Sequence, residues 1–491
     1  MPRFVYALAA ALTLAAGSAH ADQVLTYHNG NTRHGMYRVP GLTLSAAATL
    51  TLDTGFNGTI SGNVYAQPLF WQPKGAAAGE LIVTTQNNIV YALNATTGAV
   101  IWQRQLPAPI SSGLPCGDIN PEGITGTPVI DASTGKLYLN SQTDEAGAPQ
   151  HEIYAISLAT GAIVAGWPLN VQSLLKGAGV AFTPPQQGAR SALLFFSGAL
   201  YATYGGRSGD CTPYHGTIVQ IDPVSRTLAG HWQTSAVGGG IWSQGGIASD
   251  GKYLFATTGN TFNANNVWGG GEAILRFLPG LAAPAAPVDY YAPANWQALD
   301  NGDADLGGTE ALPLTVDKAN SGYAPRLIAL GKNGDAYLVN RLSLGGIGGP
   351  AAITQVSNQS IITGPAVYNT PAATMLAFTS TSGVACSGEN VQVLDLQSSG
   401  STPITVKWCA ALNGRGAPIF TTTNGTADPI VWVLGAEGDN RLHGYNALTG
   451  AVVYTGSTAL TGLHRFQTLI EADGKFYVGA DNKVYAFTFT R

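Results

Sequence analysis

The sequence predicts an all-β fold, an eight-bladed β-propeller of four-stranded antiparallel blades. Three observations point there. The stretch YALNATTGAVIW (91–102) returns in worn form as HGYNALTGAVVY (443–454), so one building block is used repeatedly. Apolar runs ending in a small polar cluster recur eight times: LIVTTQ at 81, KLYLNSQT at 136, ALYATYGG at 199, YLFATTGN at 253, RLIALGKNG at 326, MLAFTSTSG at 375, VWVLGAEG at 431 and KFYVGADNK at 475. Charged residues make up only 10% of the chain, against roughly 25% in an average domain, and there are 63 glycines, a balance that favours strands and tight turns over helices.

Each run is preceded by another strand, as in YAQPLFW (65), TGTPVID (125) and SALLFFS (191). Each is followed by a hairpin that bends at Thr-Gly or an equivalent. The unit is therefore a four-stranded meander, and eight of them around an axis leave only short, protected edges. VYAFTF ends just before Arg491, so the eighth sheet lacks its outermost strand. The stretch 48–60 (ATLTLDTGFNGTI) is expected to fill that place, with residues 22–39 lying across one face.

The first 21 residues read as a signal peptide. Arg3 is followed by an apolar run to about Ala16 and by Ala19-His20-Ala21, a small-x-small cleavage site. The run is too short to span a bilayer. The mature chain, 22–491, is expected to be a single exported propeller, periplasmic or secreted. Its four cysteines, Cys116, Cys211, Cys386 and Cys409, suit two disulfides in an oxidising compartment. A net charge of −5 without any Lys/Arg cluster argues against nucleic acid as a partner.

Strand direction sorts the polar residues. Loops entering an inner strand share one face with loops leaving a second strand. The first class carries Gln67, Cys116 with Asp118 and Glu122, Trp242 with Gln244, Asp303 with Asp305 and Glu310, and His464 with Arg465. The second carries Gln86 with Asn88, Asp210 with Tyr214 and His215, Asn260, and Lys332 with Asn333. In so sparsely charged a chain this is a concentrated polar mouth, and it predicts a small polar substrate or ligand on the axis.

The repeat form Tyr-Ala-x-x-x-x-Thr-Gly-x-x-x-Trp resembles that of the eight-bladed quinoprotein alcohol dehydrogenases, which hold pyrroloquinoline quinone (PQQ) and calcium on the propeller axis. Propellers that bind no quinone carry similar repeats, among them an outer-membrane assembly scaffold. GGGIWSQGGIASDGKYLFATTGN (238–260) is similar to the family segment in which a tryptophan floors the quinone and an asparagine binds calcium. The resemblance gives those roles to Trp242, beside Gln244, and to Asn260. LIALGKNGDAYLVNR (327–341) is similar to the segment whose basic residue contacts the quinone oxygens, here Lys332.

ALDNGDADLGG places Asp303 and Asp305 where the family has its catalytic aspartate, near the metal, and leaves open which is the base. SGLPCGDINPEG (112–123) resembles the region of a vicinal cysteine pair over the quinone, but Gly117 follows Cys116. GGRSGDCTPYHG (205–216) resembles the loop of a calcium-binding glutamate, with the shorter Asp210 nearest to it. Cys116 and Cys211 fall on neighbouring blades at the same face, within reach of a disulfide. Cys-x-x-Cys-His does not occur, so covalent haem is excluded and an enzyme would need a separate electron acceptor. Two functions follow: a PQQ- and calcium-dependent dehydrogenase acting on an alcohol or sugar, or a cofactor-free binding or scaffold propeller. The second is favoured if the N-terminal segment, with His28, Arg33 and His34, plugs the mouth.

Overall fold

The computed structural model describes residues 23–262, 266–282, 287–316, 324–371, 373–388, 390–397 and 402–490. The expected signal peptide lies outside them. Eight antiparallel sheets surround an axis, and their inner strands are Leu69–Trp71, Val129–Asp131, Leu194–Phe196, Ala248–Ser249, Leu312–Val316, Ala366–Asn369, Ile419–Thr422 and Leu469–Ala472, numbered here as blades 1 to 8. Blade 1 is typical: Leu69–Trp71, Glu80–Thr84, Ile89–Asn94 and Val100–Gln105 pair in chain order.

The apolar pattern follows from this stacking. Middle strands pack against both neighbouring blades, so Leu254–Thr258 is buried at every position, whereas the outer strand Val100–Gln105 is half-buried only at alternate residues. Trp432 of blade 7 is fully buried with its ring 4.9 Å from Phe476 of blade 8, and its indole N–H reaches Thr421 Oγ1 at 2.8 Å. In blade 8, Lys483–Thr488 pairs with two short pieces, Thr51–Leu52 and Gly58–Thr59, both antiparallel to it. Two short helices that the sequence reading did not anticipate, Val171–Gly177 and Trp296–Gly302, lie between strands.

The N-terminal segment runs inside the channel rather than across a face. Each inner strand turns its edge to the axis, where unpaired backbone groups need partners. The segment supplies them: Val24 bridges Phe70, and Ile130 N–H donates to Leu25 O, Ser249 N–H to Asn31 O, Val367 N–H to His34 O and Phe420 N–H to Gly35 O, all at 2.7–2.9 Å. Met36–Arg38 then pairs in parallel with Ile419–Thr422. Burial holds His28 and His34 neutral, lowering their pKa values to about 3 and about 4.

Candidate functional site

The mouth is assembled from loops of several blades, and glycine makes the closest approach possible. In the Thr-Gly-Asn turn leaving Leu254–Thr258, a Cβ at Gly259 would lie 2.7 Å from Asp305 Oδ2 and 3.2 Å from Trp242 Nε1. The bare backbone therefore lets three segments meet. Trp242 Nε1–H donates to Asp305 Oδ2 at 2.8 Å, and the Asn260 backbone N–H donates to Asp305 Oδ1 at 3.2 Å. Lys332 Nζ lies 3.5 Å from Asp305 Oδ2 and also donates to Asp303 Oδ1 at 2.5 Å. Asp303 caps the helix Trp296–Gly302 in a left-handed conformation, one that Asp tolerates better than most residues.

The two aspartates differ sharply in environment. The Asp305 side chain is 2% exposed and that of Asp303 is 65% exposed. Burial raises the Asp305 pKa, opposed by Lys332 and reinforced by Asp303 and Asp210. Burial works against the Lys332 ammonium, but Asp305, Asp303 and Asp210 outweigh it and hold its pKa above the ordinary lysine value. For this pair the direction on Lys332 decides the charge: the ammonium stays protonated at neutral pH. Asp210 accepts a hydrogen bond from Tyr214 OH at 2.8 Å, and burial raises its pKa. Cys116 and Cys211 form a disulfide at the rim, and Cys386 and Cys409 form a second.

The comparisons with known proteins agree with this architecture. Residues 53–164 match the PQQ-repeat family model described as outer membrane protein assembly factor BamB. The fold matches quinohemoprotein alcohol dehydrogenase from Comamonas testosteroni at TM-score 0.67 and 14% identity, covering 95% of this chain and 80% of that one. It matches a europium-containing methanol dehydrogenase at TM-score 0.63 and 14% identity, covering 94% and 90%. The fold is the β-propeller that these two dehydrogenases also have. BamB from Moraxella catarrhalis also matches, at TM-score 0.52 and 15% identity over 90% of this chain and 98% of that one. No curated protein matches the sequence. At such identities the likeness is one of fold, and the propeller fold by itself assigns no chemistry.

Within this propeller, Trp242, Asn260, Asp303, Asp305 and Lys332 lie together on one face. Gln244 lies elsewhere: it lines an adjoining cavity of about 310 Å3 with Arg190, Gln67, Tyr65 and Tyr27. Three participants escaped the sequence reading. The Arg190 guanidinium sits over the Trp242 ring at 5.1 Å from its centroid, and Lys332 Nζ lies 5.9 Å from it. Arg207 forms a buried ion pair with Glu122, whose other oxygen accepts from Gln142 Nε2 at 2.8 Å. Glu272, fully buried, accepts from the Leu306 backbone N–H and so anchors the Asp303–Asp305 loop; burial and then Asp305 raise its pKa. Among the described residues, no three His, Cys, Asp or Glu side chains converge as a metal site.

Proposed function

We propose that the chain is an exported quinoprotein that holds PQQ at Trp242 and oxidises an alcohol or sugar. The observation that carries this reading is the pair of cations, Arg190 and Lys332, gathered at one half-buried indole at 5.1 and 5.9 Å. A flat apolar surface flanked by two positive charges suits a planar polycarboxylate such as PQQ. Trp242 would give the stacking surface, Arg190 and Lys332 the partners for its oxygens. Bound PQQ supplies a hydride acceptor.

The chain's own residues divide the remaining work. Asp303, open to solvent and paired with Lys332, would take the substrate hydroxyl proton in this reading. Asp305 orients Trp242 and Lys332 through its bonds to both. Electrons would leave to a separate acceptor. Calcium is not part of this proposal, because the donors do not fit it. Both Asp305 oxygens already accept N–H bonds, and the Lys332 ammonium stands between the two aspartates, whereas calcium takes about six to eight oxygen ligands.

Titrating the mature chain with PQQ should quench tryptophan fluorescence saturably, with or without a calcium chelator. Lys332→Ala and Arg190→Ala should each weaken binding at least about tenfold, the loss of one charge-assisted contact. Asp303→Asn should keep binding and lose dye-linked oxidation. Absence of quenching in a folded preparation would reject the quinone and favour the second reading, a cofactor-free binding propeller. That reading draws on the N-terminal segment filling the channel, so that the mouth cavity ends on Tyr27.

A further inference from the structure

We infer that the cavity beside Trp242 binds a free α-amino acid with an apolar side chain, its carboxylate at Arg190 and its ammonium at the wall that carries Asp118 and Tyr65. The inference goes beyond the proposed function and does not rest on it. At about 310 Å3 the cavity sits at the small end of ligand pockets, about 300–1,000 Å3. Two of the charges that line it lack a counter-charge. Arg190 is half-buried with its guanidinium over the Trp242 ring, and among the described residues no carboxylate lies within ion-pair distance of it. Asp210, which acts on Arg190 through space, is bonded to Tyr214 OH. A planar fork of N–H donors left open beside a cavity is a receptor for a carboxylate.

Another part of the wall calls for a cation. Asp118 is exposed on the loop that Cys116 fastens to Cys211, and it too has no ion pair among the described residues. Tyr65 reports the field there: its pKa is pushed up to about 12, first by burial and then by Asp481, Asp118 and Glu437. Two of these three carboxylates are already matched. His464 takes Asp481 at 2.6 Å, and Arg465 takes Glu437 at 2.9 Å, with Arg415 at 3.8 Å. Asp118 is left to meet an ammonium, and the Tyr65 ring is a favourable neighbour for one. Ile119 and Phe466 give the same cavity apolar surface for a side chain. A lone carboxylate would face Asp118 and a lone amine would face Arg190, so each end selects against a ligand that carries one charge only.

The test titrates the full mature chain, without quinone because Arg190 serves both readings, and follows binding by calorimetry. The probes are L-phenylalanine, hydrocinnamate, which lacks the ammonium, and phenethylamine, which lacks the carboxylate. L-phenylalanine should bind saturably, and each half-ligand at least about tenfold more weakly, the loss of one charge-assisted contact. Arg190→Met should weaken L-phenylalanine by a similar factor without weakening phenethylamine. Asp118→Asn should weaken L-phenylalanine without weakening hydrocinnamate, and its exposed position keeps the claim testable should Arg190→Met fail to fold. The inference is overturned if L-phenylalanine does not bind the folded wild-type chain, if either half-ligand binds as tightly, or if either folded variant binds L-phenylalanine like wild type. Failure here leaves the PQQ titration to decide the Trp242 reading, and failure there leaves this one standing.

Discussion

Replacing Arg33 with methionine is expected to lower the free energy of unfolding by about 3–5 kcal/mol, because it strips a charged donor from several buried backbone and hydroxyl acceptors at once. The expected readout is a fall in the denaturant midpoint at unchanged slope. Arg33 is 0% exposed in the middle of the channel. Its Nε–H donates to Ile247 O at 3.1 Å, Nη2–H to Leu193 O at 3.0 Å, and Nη1–H to Thr26 Oγ1 at 2.5 Å and Tyr27 O at 3.3 Å. One planar fork thus ties the entries of blades 3 and 4 to the N-terminal segment. Burial lowers its pKa, with Glu310 and then Tyr27 opposing, to about 10, so it remains a cation at neutral pH. Methionine keeps most of the apolar stem and leaves the acceptors unmet. Arg33→Lys should recover little, because a point charge cannot reproduce the fork. A loss below about 1 kcal/mol would mean that water replaces the guanidinium, and the segment would then be a loose filler.

The blades were legible because their signals are local. Gly98, Gly161 and Gly450, at the Thr-Gly bends, all take left-handed φ values of 67–77°, which the repeat predicts at those places. Trp242, Asn260, Asp303, Asp305 and Lys332 were legible for a related reason: alternating strand direction fixes which loops share a face, whatever their separation in sequence. Arg190 and Glu272 were not, since each acts on a residue 52 and 33 positions away, Trp242 and Asp305, and no spacing rule announces such a meeting. The helices Val171–Gly177 and Trp296–Gly302 were missed because seven residues are too few to show a helical apolar period, although an asparagine stands at each N-cap. The route of the N-terminal segment was hidden most completely. Its partners are backbone edges of the inner strands, and a backbone edge leaves no trace in side-chain identity.

Glu310→Gln is expected to stabilise the fold by on the order of 3 kcal/mol at pH 8 and to change little at pH 4.5, by linkage between proton binding and folding. Glu310 is 0% exposed; Oε2 accepts the Gly245 N–H at 3.3 Å, and Oε1 has no partner. Burial raises its pKa from 4.5 to about 7, opposed by those backbone bonds and by Arg33. Between these two values the folded chain keeps a proton that the unfolded chain has lost. This group's contribution is therefore fully present below the unfolded value and declines as pH rises through the folded one. The buried histidines oppose it, since their lowered pKa values make stability rise with pH, so the informative quantity is the difference between variant and wild type at each pH. Glutamine mimics the protonated acid and removes the dependence. Denaturant midpoints at pH 4.5 and 8 decide it. A variant less stable than wild type at pH 8 would mean that the folded chain favours the Glu310 carboxylate rather than penalising it, with Glu310 serving as the counter-charge of Arg33. In that case Arg33→Met and Glu310→Gln, combined, should cost less than the sum of the two alone, because each single change strands the other's charge.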